Sequence, residues 1–141
     1  MATSNPGPAI TQGGHPQVLS SNQAVRLLAS AIGVNANSAT DTVLPLLDST
    51  SYSVKFVVFT NASTSLTTAA AGLFPAPSAG GTAIVANAAL SALTSSTVVS
   101  ERTVASNIVQ TTQNLYVNVG TAQGAAATFD VYVYGYDFTA L

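Results

Sequence analysis

The chain has no cysteine and no tryptophan, one histidine and one methionine, and only eight charged side chains in 141 residues, three basic and five acidic. Without cysteine, neither a disulfide framework nor a thiolate metal site is open to it, so stability has to come from packing and hydrogen bonds. An ordinary soluble domain is roughly 25% Asp, Glu, Lys and Arg, and here small residues and hydroxyls have taken those places. The three cations, Arg26, Lys55 and Arg102, are too few to neutralise the several phosphates that give measurable nucleic-acid affinity. A basic helix lying on a membrane surface fails on the same count. Mean hydropathy is positive at +0.41, yet no run of about 18 apolar residues exists to span a bilayer. The first residues show no basic segment followed by an apolar one, so no secretory leader is expected, and synthesis in a cytoplasm is.

The same scarcity limits chemistry. The single histidine, His15, stands in Gly13-Gly14-His15-Pro16, where a general base would lack the positioning that catalysis requires. The carboxylates are Asp41, Asp48, Glu101, Asp130 and Asp137, and no two occupy a recognisable catalytic setting. Asp130 and Asp137 read as solvated ends of one strand, on opposite faces because their spacing is odd. Glu101 and Arg102 are neighbours that diverge in a strand and read as rim contacts. Calcium loops, phosphate-binding glycine loops and histidine-based zinc patterns are missing. Asn61-Ala62-Ser63 matches the glycosylation triplet but carries little weight without a leader. The expectation is a non-enzymatic protein with no cofactor, no metal and no small-molecule substrate.

What the chain does contain is strand pattern. Residues 1–24 hold Pro6, Pro8, Pro16 and three glycines with no charge before Arg26, and read as an extended arm that docks on a neighbour. Pro6, Pro8, Ile10 and His15 are its candidate contact residues. Residues 25–141 form the single domain. Gln23 to Ile32 fits a short helix or a strand. Val43 to Leu47, interrupted by Pro45, suits an edge strand. Tyr52 to Phe59 alternates, with Val54, Phe56 and Val58 on one face and Lys55, Val57 and Phe59 on the other. Lys55, the one charge in that apolar run, marks a protected edge or an intermolecular ion pair. Leu66 to Phe74, Thr82 to Ala86, Thr97 to Val104 and Leu115 to Val119 are further strands, and residues 86–94 have the spacing for a turn or two of helix. The strongest strand is the last, residues 129–138. It sets Phe129, Val131, Val133 and Gly135 against Asp130, Tyr132, Tyr134 and Tyr136. The short link Thr121 to Ala125 predicts an antiparallel hairpin with the strand before it. Seven or eight short strands with turns between them indicate an all-β antiparallel sandwich or barrel.

Several phrases occur in a familiar order: Ser65-Leu-Thr-Thr-Ala-Ala-Ala-Gly72, Gly80-Gly-Thr-Ala83, Leu93-Thr94, Thr121-Ala-Gln-Gly-Ala-Ala-Ala-Thr128 and Val131-Tyr-Val-Tyr-Gly135. The series, over residues 52–138, resembles the head decoration, or cement, proteins of tailed bacteriophages. The resemblance implies a jelly-roll-like β-sandwich on the outer surface of the virion capsid, bridging copies of the major capsid protein and stabilising the shell, with other copies of itself as further partners in a homo-oligomer. Tyr132, Tyr134 and Tyr136, together with the arm and Lys55, would then be the partner contacts, unless the arm or a loop of the same chain covers the tyrosines. Two competing readings are a carbohydrate-binding sandwich that uses the tyrosines as sugar platforms and a tail or fibre subunit.

Overall fold

The computed structural model describes residues 25–139. Among them are eight strands and no helix: β1 (Arg26–Asn35), β2 (Asp41–Pro45), β3 (Tyr52–Thr60), β4 (Ala70–Phe74), β5 (Val85–Ala89), β6 (Val99–Arg102), β7 (Asn114–Thr121) and β8 (Thr128–Asp137). They form two four-stranded antiparallel sheets, ordered β1-β8-β3-β6 and β2-β7-β4-β5. The all-β antiparallel sandwich expected from the strand pattern is the fold observed. The expected N-terminal arm, with Pro6, Pro8, Ile10 and His15, lies outside the described residues.

Alternation builds the core. In β7, Leu115, Val117 and Val119 are buried while Tyr116 and Asn118 are not, and in β8 the buried uncharged stripe is Phe129, Val131, Val133 and Gly135. These stripes meet Leu28 and Ala29 of β1, Leu44 of β2 and Ala71 and Leu73 of β4 in one apolar cluster between the sheets. Side chains from the two inner faces interdigitate there, which is how a sandwich hides what neither sheet could bury alone. β2 lies at a sheet edge with Pro45 as its last residue, as a proline-interrupted strand should.

Of four local readings, the structure decides one and corrects three. The segment that could have been helix or strand at residues 23–32 is strand β1 where it is described. Residues 86–94 form no helix: Ala86 and Ala89 belong to β5 and are exposed, while Leu90 and Leu93 are buried anchors of the following turn. Alanine is the best intrinsic helix former, but propensity is a weak prior that tertiary context overrides, and here pairing with β4 does so. The link before β8 makes no hairpin, because β7 pairs with β2 and β4 whereas β8 pairs with β1 and β3. Its Gln123 amide donates to the Ala36 carbonyl (2.9 Å) and its Gly124 amide to Asn37 Oδ1 (2.8 Å), so it is tied to the β1–β2 connection as it crosses between sheets.

The fourth concerns β3. Val54 lies opposite Gly135, but the next paired residue is Phe56, opposite Tyr134, so β3 carries one extra residue, Lys55. A bulge of this kind reverses which parity faces inward. Tyr52 and Val54 before it and Val57 and Phe59 after it are all buried, while Phe56 and Val58 turn to the outer face and Lys55 is exposed. Lys55 is also not on an edge strand, since β3 lies between β8 and β6. Its β6 ladder runs only from Val57 to Thr60, which leaves the lysine on a flank that β6 does not reach.

Candidate partner-binding face

The bulge assembles an aromatic face that the alternation alone did not reveal. On the outer side of the β1-β8-β3-β6 sheet, Tyr134 is flanked by Leu27 and Phe56, Tyr132 by Ser30 and Val58, and Tyr136 by Ser53. Glu101 extends the Tyr132 row beyond Val58. The Tyr134 and Phe56 rings are stacked, with centroids 4.9 Å apart and planes 23° from parallel, an offset pair of the favourable kind. All three tyrosines are half-buried by their neighbours in the sheet. At the rim, Ile32 is 69% and Val99 56% exposed, both large apolar side chains open to solvent.

The structure therefore brings Tyr132, Tyr134 and Tyr136 together, with Lys55 beside Phe56 at the bulge. Leu27, Phe56 and Val58 join the same face; strict alternation along β3 had Phe56 and Val58 grouped with the buried Val54. Pro6, Pro8, Ile10 and His15 are among the residues outside the description.

Arg26, Asp41, Asp130 and Asp137 are spent on structure. Asp130, read from sequence as a solvated strand end, is buried, accepting the Gly33 amide at 2.8 Å and Asn61 Nδ2 at 3.1 Å. That carboxylate holds the second β1 irregularity, between Ala31 and Val34, where Gly33 has φ of +72°. Asp137, the other supposed solvated end, is buried too. It accepts Arg26 Nη2 at 3.0 Å and the Thr139 amide at 2.9 Å, and Arg26 also donates to the Leu47 carbonyl at 2.6 Å and Ser49 Oγ at 3.1 Å. Burial pushes the Asp137 carboxyl up, but bonds from the Thr139 amide and hydroxyl, Ser49 and Arg26 outweigh it and hold the group below its ordinary value. Asp41 accepts the Ser78 amide at 2.7 Å and Asn118 Nδ2 at 2.8 Å. Tyr52 donates its hydroxyl to the Thr112 carbonyl at 2.7 Å, and burial pushes its pKa up to about 12. Among the described residues no group of three or more His, Cys, Asp and Glu could hold a metal ion.

Comparison with protein-family models, with curated proteins and with solved structures finds no match for this chain.

Proposed function

We propose that the protein is a non-enzymatic structural subunit that docks on a protein shell through its tyrosine face, as a decoration protein of the tailed-phage kind. The observation that carries this reading is the outer face itself: tyrosine rings, Phe56, Val58 and Leu27 in adjoining rows, on a chain with eight charged side chains in all. Tyrosine is enriched in the cores of interfaces and charge is depleted there. The pairing of β1 with β8, β2 with β7, β3 with β6 and β4 with β5 supports it as well, because a ribbon folded over in this order is the winding of a jelly roll. Many copies on one shell allow each contact to be modest. The sugar-platform alternative needs open ring faces, and Tyr134 turns one of its faces to Phe56.

The test is occupancy on purified DNA-filled heads. Tyr132, Tyr134 and Tyr136 all changed to serine should lower bound copies at least tenfold. Because removing three half-buried rings also loosens the sheet, Ser30→Lys provides a variant that keeps them; it sets a charge beside Tyr132 and should also release the protein while leaving its Tm within a few degrees. Wild-type occupancy by both variants would refute docking through this face.

A further inference from the structure

Two sheet edges open on the same side of the sandwich, and they differ from the opposite pair. On the far side β1 is broken by two irregularities and β2 ends in Pro45, which are ordinary means of protecting an edge. On the near side β5 reads Val-Ala-Asn-Ala-Ala, with no charge and no proline, and Ala86 to Ala89 are all exposed. Toward β4 this strand is paired; on its other side no main-chain or side-chain hydrogen bond reaches residues 86–89 from any described residue. Beside it, a cavity of about 330 Å³ is lined by Val85, Ala86 and Ala88 of β5 and by Glu101, Arg102, Thr103 and Ala105. The Ala105 amide donates to the Ile84 carbonyl at 2.7 Å and closes one end.

Arg102 is the unusual occupant of this cleft. It pairs with Val57, an inward-facing residue, so its side chain points under the open edge, where the guanidinium carbon lies 5.5 Å from the centre of the buried Phe59 ring. It makes no hydrogen bond or ion pair with any described residue; the one ion pair among them is Arg26 with Asp137. Glu101 also lines the cleft but forms no ion pair with Arg102: it pairs with the outward Val58 and is exposed. Burial lowers the Arg102 pKa, as expected for a cation partly withdrawn from water without a counter-charge. A guanidinium with five donors and no acceptor, next to an unpaired strand edge, calls for an incoming main chain that also carries a carboxylate.

We propose that β5 is a strand-addition site for an extended segment of another polypeptide, whose Asp or Glu side chain enters the cleft and pairs with Arg102. Main-chain bonds to the β5 edge align the segment, while its carboxylate on Arg102 and its side chains supply the net affinity and fix the register. The small side chains of Ala86, Ala88 and Ala89 leave room for a partner's larger ones. This site lies on a sheet edge, and of its lining only Glu101 also borders the tyrosine face, so it stands whether or not that face binds a shell.

The experiment presents the immobilised full chain to a random library of capped octapeptides. Enriched peptides should be β-branched, alternating sequences with an Asp or Glu at one fixed position. The Leu90 amide bonds to Ala69 of the β4 side, so by alternation the Ala89 amide points outward, and Ala89→Pro deletes an outward donor while sparing the β4 ladder. Ala89→Pro should abolish enrichment, and Arg102→Gln should weaken the best peptide about tenfold and remove the preference for an acidic residue. Arg102→Lys should restore part of that preference. Both blocking variants should keep the wild-type circular dichroism spectrum. No enrichment by the wild type, enrichment without an acidic position, or equal enrichment by all variants would overturn the proposal. Self-association that disappears with Ala89→Pro would overturn it in favour of a second copy of this chain as the occupant.

Discussion

Replacing Gly135 by alanine probes the β3 bulge and the strand it packs against in one step. Gly135 sits between Arg26 and Val54 in the sheet, at the point where β3 carries its extra residue. A Cβ there would overlap the Ser53 carbonyl oxygen and lie 2.8 Å from Leu28 Cδ1. The carbonyl is main chain and Leu28 is fully buried, so neither turns aside and the two strands must part. Overpacking a filled interior costs about 1–3 kcal/mol, and a loosened ladder bond adds about 1 kcal/mol. Alanine recovers about 0.5–1 kcal/mol relative to glycine in a strand. The net loss is about 2 kcal/mol, or roughly 6–8 °C in Tm for a domain of this size. Gly120→Ala is the internal control: its Cβ would meet the side-chain amide of Asn87, with Cγ at 3.0 Å, and that exposed side chain can rotate away. Its cost should stay within about 0.5 kcal/mol. Urea denaturation of the two variants beside the wild type decides the matter. A Gly135→Ala protein as stable as the wild type, or equal losses from both variants, would refute the packing argument.

Two further perturbations follow from the bonded carboxylates and turns. Asp137→Asn should lower stability at pH 7 by about 2 kcal/mol, the worth of charge-assisted hydrogen bonds. Because the folded pKa of Asp137 lies below its unfolded value, its contribution is full above about pH 4 and is lost as pH falls through the folded value. The gap between wild type and variant should therefore close in that acid range, and a gap independent of pH would count against the reasoning. The turn Pro77-Ser78-Ala79-Gly80 is closed by the Gly80 amide on the Pro77 carbonyl (3.1 Å), with φ of +58° at Ser78 and +57° at Ala79. Such a backbone suits glycine, so Ala79→Gly should raise stability by about 0.5–1 kcal/mol, and thermal melts showing a loss would contradict it.

The parts of this fold that sequence disclosed are those where side chains differ most between faces. β7 and β8 pair large apolar groups with polar or aromatic ones, and the buried stripes fall where alternation puts them. β5 is nearly all alanine and marks no face, and β6 is only four residues, Val-Ser-Glu-Arg, too short for alternation to fix its limits. The extra residue in β3 was hidden because a lysine within an apolar run still looks like alternation. Asp130 and Asp137 are tied to Gly33 and Arg26, 97 and 111 residues away, and no local pattern could announce those partners. Of the candidate face, the three tyrosines were legible and Phe56, Val58 and Leu27 were not, because only the ladder register sets them side by side.

The low charge of this surface raises the question of why free β5 edges would not simply join each other. A net charge of −2 supplies little repulsion between copies. The restraint lies in the strand's side chains. Ala86, Ala88 and Ala89 offer little apolar area, and each main-chain bond between two edges is worth only about 1 kcal/mol net. Four or five such bonds, about 4–5 kcal/mol, at best match the low end of the about 4–15 kcal/mol of translational and rotational freedom lost on association. Two β5 edges meeting would also bring two uncompensated Arg102 groups into the same region, whereas a segment with a carboxylate removes the unpaired charge and adds side-chain area of its own. The same residues thus keep the edge quiet toward its own copies and open toward an acidic extended partner, which is the selectivity that strand addition on an unguarded edge requires.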